Sequence, residues 1–232
     1  MIAITAMAAI VITLSLGRWQ LSRAAQKENL QAAIEAQGLR ASLDNSALTG
    51  LTDASTAIHR VAVLRGTWVT ARTVFLDNRQ MNAKPGFYVL TPLQLEGTAS
   101  TVLVQRGWVA RNFMDRNSVP SVDTTSGIVS VVGRIAPPPS KLYELGDTGR
   151  GLIRQNLDLA QFRKETGLPL LPVSIQQTAA PSEGLLRDWP SVGHGADKNY
   201  GYAFQWFGLS ALIAILYVWF QIGKRFISSR RA

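Results

Sequence analysis

The hydrophobic and polar positions divide the chain into an apolar run near each end and a middle region in which apolar and polar residues alternate. The second run, residues 202–222, contains no charged residue, and a helix of roughly 20 apolar residues can cross the hydrocarbon core of a bilayer. Aromatic residues crowd both ends of this run, where aromatic rings favour the membrane interfaces. A chain of this size could not enclose such a helix on all sides. The pattern therefore predicts a transmembrane helix over residues 200–223.

The first apolar run, residues 1–17, is also uncharged, and its length of about 17 residues is the lower limit for a membrane span. A cleaved signal peptide is the alternative, because residues 22–24 loosely resemble a cleavage site. The basic segment that usually opens a signal peptide is missing, and Arg18 and Trp19 interrupt the cleavage region. We therefore predict an uncleaved transmembrane helix over residues 1–20. Helical spacing of apolar residues predicts that it continues as a helical extension over residues 21–39.

Basic residues flank the two predicted spans unevenly, and the two flanks disagree about orientation. After the second span, the tail at residues 224–232 carries four basic residues, which predicts a cytoplasmic tail and a central domain outside the cytoplasm. After the first span, Arg18, Arg23 and Lys27 all lie on the side of the central domain, which predicts the opposite. We favour the orientation given by the second span, because it is longer. An upstream start that added basic residues would remove the conflict.

The middle of the chain has a period of two, which is typical of β-strands, with turn residues between the strands. Asp158 and Gly167 delimit one short helix, the first as its N-cap and the second as its stop. The fold class predicted is a membrane protein of the α+β class, in which two transmembrane helices bracket one antiparallel β-rich domain, a small sheet or barrel with a short helix, over residues 40–199. Strands are predicted over residues 60–69, 74–80, 87–95, 101–110, 127–136 and 170–178.

Composition narrows the range of functions. The net charge of +9 is spread along the chain without a basic run in the middle, so we expect no nucleic-acid partner. The absence of cysteine excludes disulfides and thiolate metal sites. His59 and His194 are the only histidines, and the chain lacks nucleophile-elbow, zinc-protease and phosphate-loop motifs. We therefore expect no enzymatic activity.

Three stretches have unusual compositions. Residues 16–23, LGRWQLSR, lie with Lys27 at a membrane exit, where an interfacial anchor accounts for most of their character. Residues 86–93, GFYVLTPL, and residues 102–109, VLVQRGWV, predict a hairpin in the core of the sheet. Residues 202–209, YAFQWFGL, lead into the second span with an aromatic stripe. In this order and spacing, the stretches resemble the Surfeit locus protein 1 family of cytochrome oxidase assembly factors.

The resemblance implies a protein of the bacterial inner membrane with both termini in the cytoplasm and the central domain in the periplasm. Family members assist the maturation of haem-copper oxidases around haem a and the large catalytic subunit, and they are not known as enzymes. The partners implied are the lipid bilayer, the membrane-embedded oxidase subunits, above all the catalytic subunit, and haem a synthase. Haem a is implied as a transient cofactor.

The resemblance also indicates where haem would bind. Members associated with haem a carry a histidine three residues before the tyrosine that opens the second span, and this chain has Asn199 there. Asparagine is not a usual axial ligand of haem iron. The candidate cofactor-binding residues are therefore His194, between two glycines, together with Tyr202 and Trp206.

Two other interpretations remain. The chain could be a membrane-anchored scaffold or docking protein that binds no cofactor. It could also be a membrane-anchored periplasmic enzyme, which the missing catalytic motifs disfavour.

Overall fold

A computed structural model of the protein describes residues 1–112, 114, 119–142, 151–189 and 195–223. The chain divides into two compact units, one formed by residues 1–33 and 191–232 and the other by residues 34–190. We call them the helical unit and the β-domain. In chain order the elements are α1 (Ile2–Gly38), α2 (Asn45–Thr49), β1 (Val61–Trp68), β2 (Val74–Met81), β3 (Lys84–Leu95), β4 (Thr101–Ala110), β5 (Ile128–Ala136), β6 (Ile153–Arg154), α3 (Leu159–Thr166), β7 (Leu170–Gln177) and α4 (Ala196–Val218).

Two helices within the described ranges are long and apolar enough to cross a membrane. Helix α1 is continuous from the first apolar run through the predicted extension, because no proline or strong break intervenes. Helix α4 begins at Ala196 after Gly195, whose φ of 94° is a left-handed conformation that suits glycine. A π-helical turn, Trp219–Gly223, continues it. These helices bracket the β-domain, so the predicted fold class is confirmed.

The β-domain is a small barrel. In the described part of the chain, the strands pair in the order β1, β5, β7, β4 and β3, and β3 returns to β1. The end of the long strand β3 closes the barrel by pairing Leu93 and Leu95 with Trp68 and Gly66 of β1, while its beginning pairs with β2. Strand β6 extends the sheet beyond β2. Side chains from the strands around the barrel fill its interior, as expected for a small barrel.

The alternating pattern of β1 matches its burial, since every second residue from Ala62 to Trp68 faces the barrel core. Strand β4 is buried on both faces, because helix α3 and the segment after β7 cover its outer side. On α3, Leu159 and Phe162 pack against Leu103 of β4. The predicted helix at 158–166 is therefore present, and Asp158 caps it by accepting a hydrogen bond from the Gln161 amide.

Three details differ from the sequence-based expectations. Residues 40–57, where no helix or strand was predicted, contain α2, whose buried Leu48 belongs to the barrel core. The two-residue strand β6 was not predicted. Strand β7 pairs parallel to β4 and antiparallel to β5, whereas the expectation was a wholly antiparallel sheet. Strand direction depends on long-range pairing, which local periodicity does not encode.

Candidate functional site

The paired motifs of the β-domain, residues 86–93 and 102–109, form the hairpin β3–β4. Gly86 lies under the indole of Trp108, and a Cβ added to Gly86 would be 2.5 Å from that ring. Trp108 is 2% exposed and donates its Nε1 hydrogen to the carbonyl oxygen of Arg79 at 2.9 Å. Phe87 is fully enclosed beside them. The hairpin motif is therefore core structure, as the sequence predicted.

The arginine of the same motif, Arg106, is buried and makes noncovalent contacts with several segments of the chain. Its guanidinium lies 4.7 Å from the ring centre of Trp68 and 2.9 Å from the carboxylate of Glu183. It also donates a hydrogen bond to the Thr124 hydroxyl. Arg187 lies 3.6 Å from the same carboxylate; burial lowers the pKa of Arg187, and Glu183 opposes that change. The two buried arginines share one carboxylate, and this links β4 to the segment after β7.

The buried residues of α1 and α4 are small, and a ring of α4 packs over one of them. Small residues are enriched where membrane helices pack against each other. The ring of Phe207 fills the space above Gly17, where an added Cβ would lie 2.6 Å from a ring carbon. Thr13 satisfies its hydroxyl within its own helix by donating to the Ala9 carbonyl. The buried residues of the two helices are Thr13, Gly17 and Ala24 on α1, and Ala203 and Ser210 on α4.

Three polar side chains and one backbone carbonyl join the two helices near the N-terminus of α4. Lys27 donates from Nζ to the side-chain oxygen of Asn199 at 2.7 Å and to the carbonyl oxygen of Gly195 at 3.3 Å. Asn199 donates from Nδ2 to the Oε1 atom of Gln20 at 2.6 Å. We call Gln20, Lys27, Gly195 and Asn199 the polar clasp. Both polar groups of the Asn199 amide are occupied in it.

A second link lies beside the polar clasp. The hydroxyl of Tyr200 donates to the carboxylate of Glu28 at 2.9 Å. Glu28 follows Lys27 on α1, and Tyr200 follows Asn199 on α4. Two consecutive residues of each helix therefore bond across the pair, which fixes the register of the two helices at this end.

The structure describes two of the predicted site residues, Tyr202 and Trp206, which lie about one turn apart on α4. Tyr202 is 53% exposed and Trp206 is half-buried, and no hydrogen bond among the described residues joins either of them to the polar clasp. His194 lies outside the described residues. The structure instead brings Gln20 and Lys27 to Asn199, and sequence reasoning named neither of them as a site residue. Their spacing of seven residues places them on one face of a helix, a signal that could have found them.

The haem that the resemblance implies would need an axial ligand for its iron at this end of the helices. Asn199 does not fit as an iron ligand, because its amide is held by Gln20 and Lys27 and because iron ligands in haem proteins are usually His, Met, Cys or Tyr. Within the described residues of the helical unit there is no histidine. Tyr200 donates to Glu28, which leaves Tyr202 as the exposed phenol near the clasp. Histidine ligation at this end therefore depends on His194.

Comparison with known proteins gives a match to the model of the SURF1 family over residues 7–211. The SURF1-like protein of Rickettsia bellii is 26% identical over 235 aligned residues, which cover 98% of this chain and 92% of the relative. The SURF1-like protein of Rickettsia felis is 26% identical over 89% of this chain and 91% of the relative. The SURF1-like protein of Drosophila melanogaster is 27% identical over 92% of this chain and 75% of the relative. The matched region includes most of both membrane helices and the whole β-domain.

Proposed function

Because the chain belongs to the SURF1 family, a family of cytochrome oxidase assembly factors, we propose that it assists the maturation of the catalytic subunit of a haem-copper terminal oxidase. The observation that carries the proposal is the family match over residues 7–211, which includes the helices as well as the domain between them. The partners are the membrane-embedded oxidase subunits, with the catalytic subunit first among them. The protein acts by binding and positioning, and it is not an enzyme.

The proposed location is the bacterial inner membrane, with both termini in the cytoplasm and the β-domain in the periplasm. Four basic residues in the tail at 224–232 support this orientation, because basic residues next to a span favour the cytoplasmic side. In this proposed orientation, the polar clasp lies at the outer end of the helical pair, at the level of the periplasmic interface.

A finer proposal concerns haem a. An apolar macrocycle with an iron that requires an axial ligand would meet the protein near the start of α4, with His194 as the ligand and Tyr202 and Trp206 as neighbouring aromatic residues. The second candidate is docking without a cofactor. One observation favours it: the residue at the family's histidine position, Asn199, is occupied by hydrogen bonds to Gln20 and Lys27.

Deletion of the gene in its host tests the main proposal. We expect the absorption band and the activity of the haem-copper oxidase to fall, while succinate dehydrogenase activity stays unchanged as a control for the rest of the respiratory chain. Expression of the wild-type chain should restore the oxidase. Normal oxidase in the deletion strain would refute an assembly role.

The haem proposal is tested on protein purified from cells that make haem a. Wild type is compared with His194→Ala and Asn199→His, and Asn199→Ala controls for loss of the polar clasp alone. A ligand role for His194 predicts a Soret band in wild type that His194→Ala loses. A band that appears only in Asn199→His would mean that this chain lacks the family's ligand. Four colourless proteins would leave docking without a cofactor.

A further inference from the structure

Arg79 is a buried arginine that has no carboxylate partner among the described residues. It is 5% exposed, and its guanidinium donates from Nη2 to the carbonyl oxygen of Gln155 at 3.0 Å. Its Nε atom is enclosed without an acceptor. Two other buried arginines, Arg106 and Arg187, both lie beside Glu183. Arg79 therefore differs from them in lacking a counter-charge.

The backbone turns this side chain inward by a local irregularity. The pairing of β2 with β3 shifts register between Leu76 and Arg79, which is a β-bulge, and Asn78 within it has a φ of 59°. Bulges redirect side chains and are frequent next to functional sites. Asn78 is in a left-handed conformation that costs free energy for most residues, although asparagine tolerates it better than most. The inward position of Arg79 is thus built into the strand.

Nearby carboxylates are engaged elsewhere. Asp77, two residues before Arg79, lies 3.4 Å from the guanidinium of Arg111. Asp188 accepts a hydrogen bond from the side chain of Asn82 at 2.9 Å. The side chain that faces the guanidinium is Tyr88, whose ring centre is 5.8 Å from it. Burial raises the pKa of Tyr88, so its hydroxyl stays neutral and supplies no counter-charge.

A buried cation without a counter-charge destabilises a fold, and arginine does not escape the cost by losing its proton. Burial does lower the pKa of Arg79, but an arginine starts so high that it stays charged at physiological pH. Its guanidinium has five N–H groups in a planar fork that fits the two oxygens of a carboxylate. The half-buried ring of Tyr88 lies next to the guanidinium, and the half-buried ring of Trp189 lies 5.1 Å from the ring of Tyr88. Arginine, tyrosine and tryptophan together are typical of the centre of a protein interface.

We propose that Arg79 is the centre of a docking site on the β-domain, which receives the carboxylate of an acidic side chain from the extracytoplasmic surface of the oxidase catalytic subunit. This inference rests on the proposed function for the identity of the partner. Tyr88 and Trp189 form the aromatic border of the site, and the partner's carboxylate provides the counter-charge that no described residue of the chain supplies.

The test compares stability with partner binding in the full chain, using Arg79→Met with Arg106→Met as the matched control. Arg79→Met removes an uncompensated buried charge, so we expect an unchanged or higher melting temperature in detergent. Co-purification of the oxidase catalytic subunit should fall at least tenfold, and assembled oxidase in cells should fall with it. Arg106→Met leaves Glu183 with one arginine fewer, and we expect a lower melting temperature and a lower abundance.

A second variant, Arg79→Lys, keeps the charge and loses the planar fork. We expect it to fold and to recover only part of the co-purification, because an ammonium group does not reproduce bidentate contact with a carboxylate. A lower melting temperature in both Arg79 variants would mean that the side chain is structural, and this would overturn the inference. Stable variants with wild-type co-purification would overturn it as well.

The deletion strain separates this inference from the proposed function. If deletion abolishes the oxidase and Arg79→Met restores it to the wild-type level, the docking site is refuted and the assembly role stands. If deletion leaves the oxidase normal, the assembly role is refuted, and the oxidase is excluded as the partner of Arg79.

Discussion

Individual glycines and tryptophans explain why the hairpin motif of the β-domain has its particular sequence. An added Cβ at Gly86 would collide with Trp108, and one at Gly107 would lie 2.7 Å from the Cβ of Leu185. Both glycines are therefore places where another part of the chain occupies the space of a side chain. The glycines of the motif therefore indicate dense packing around β4, in which Trp108 is a residue of the core.

Trp108→Ala tests this interpretation. The indole is 2% exposed, and its loss should lower the free energy of unfolding by about 3–5 kcal/mol. The expected result is a low steady-state amount of protein, measured by immunoblot, and a lower denaturation midpoint in detergent. Trp108→Phe refills part of the volume and should recover part of the stability. Normal abundance combined with lost oxidase activity would instead make Trp108 a contact residue.

His59 should make the stability of the β-domain depend on pH. Burial, and next the charge of Arg134, lower the pKa of His59 below its ordinary 6.5. The unfolded chain then binds a proton more readily, so the stability from the neutral imidazole is present above about pH 6.5 and is lost as the pH falls toward the folded-state pKa. His59→Asn removes the titration, and asparagine tolerates the φ of 76° at this position. We expect the melting temperature of wild type to fall more steeply on acidification than that of the variant; equal slopes would contradict this.

The two membrane helices are an element pair whose contact is made by small residues and by one polar cluster. The Phe207 ring of α4 packs over Gly17 of α1, and the polar clasp adds interhelical hydrogen bonds at the end where α4 begins. Interhelical hydrogen bonds in membranes contribute about 0.6 kcal/mol on average. Packing around Gly17 should therefore matter more to the association than any single bond of the clasp.

Gly17→Leu should separate the helices, because its side chain would occupy the position of the Phe207 ring. The chain has no cysteine, so Glu28→Cys and Tyr200→Cys can be joined selectively by a short bismaleimide. The side chains of Glu28 and Tyr200 are hydrogen-bonded in the structure. We expect several-fold less cross-linked product with Gly17→Leu. Gly201→Leu is the matched control, since a Cβ there meets nothing within 4 Å, and it should cross-link normally.

The whole molecule combines a helical unit with a domain inserted between its two helices. Its orientation depends on charges at the ends of the spans, and the two spans disagree. The tail at 224–232 carries four basic residues, and Arg18, Arg23 and Lys27 follow the first apolar run. Lys27 is engaged with Asn199 and Gly195, so one of these three positive charges has a structural partner.

A fusion after Gly133 tests the orientation. A reporter that is active only in the periplasm should be active there, because the β-domain is expected outside the cytoplasm. The same reporter fused after Ala232 should be silent, and a reporter of cytoplasmic activity should give the reverse at both points. A silent periplasmic reporter after Gly133, together with an active cytoplasmic one, would reverse the topology.

Local patterns in the sequence were enough for the elements and the fold class. Uninterrupted apolar runs predicted the two membrane helices, since a span needs only length and hydrophobicity. Period-two stretches predicted strands β1 to β5 and β7, and Asp158 with Gly167 delimited α3. These signals lie within short windows, because helix caps and alternating burial depend on near neighbours. The burial of Trp108 was predicted for the same reason.

Tertiary structure decided everything that depends on distant parts of the chain. Closure of the barrel by β3 on β1, the parallel pairing of β7 with β4 and the two-residue strand β6 are long-range pairings that no local period encodes. Asn199 meets Lys27 across 172 positions of the sequence, so only the packed helices could show that its amide is occupied. Arg79 looks like an ordinary exposed residue of an alternating strand. Only the folded chain shows, through the bulge in β2 and the engaged carboxylates, that it is a buried cation with no counter-charge in the described ranges, because burial and charge pairing are properties of the tertiary structure.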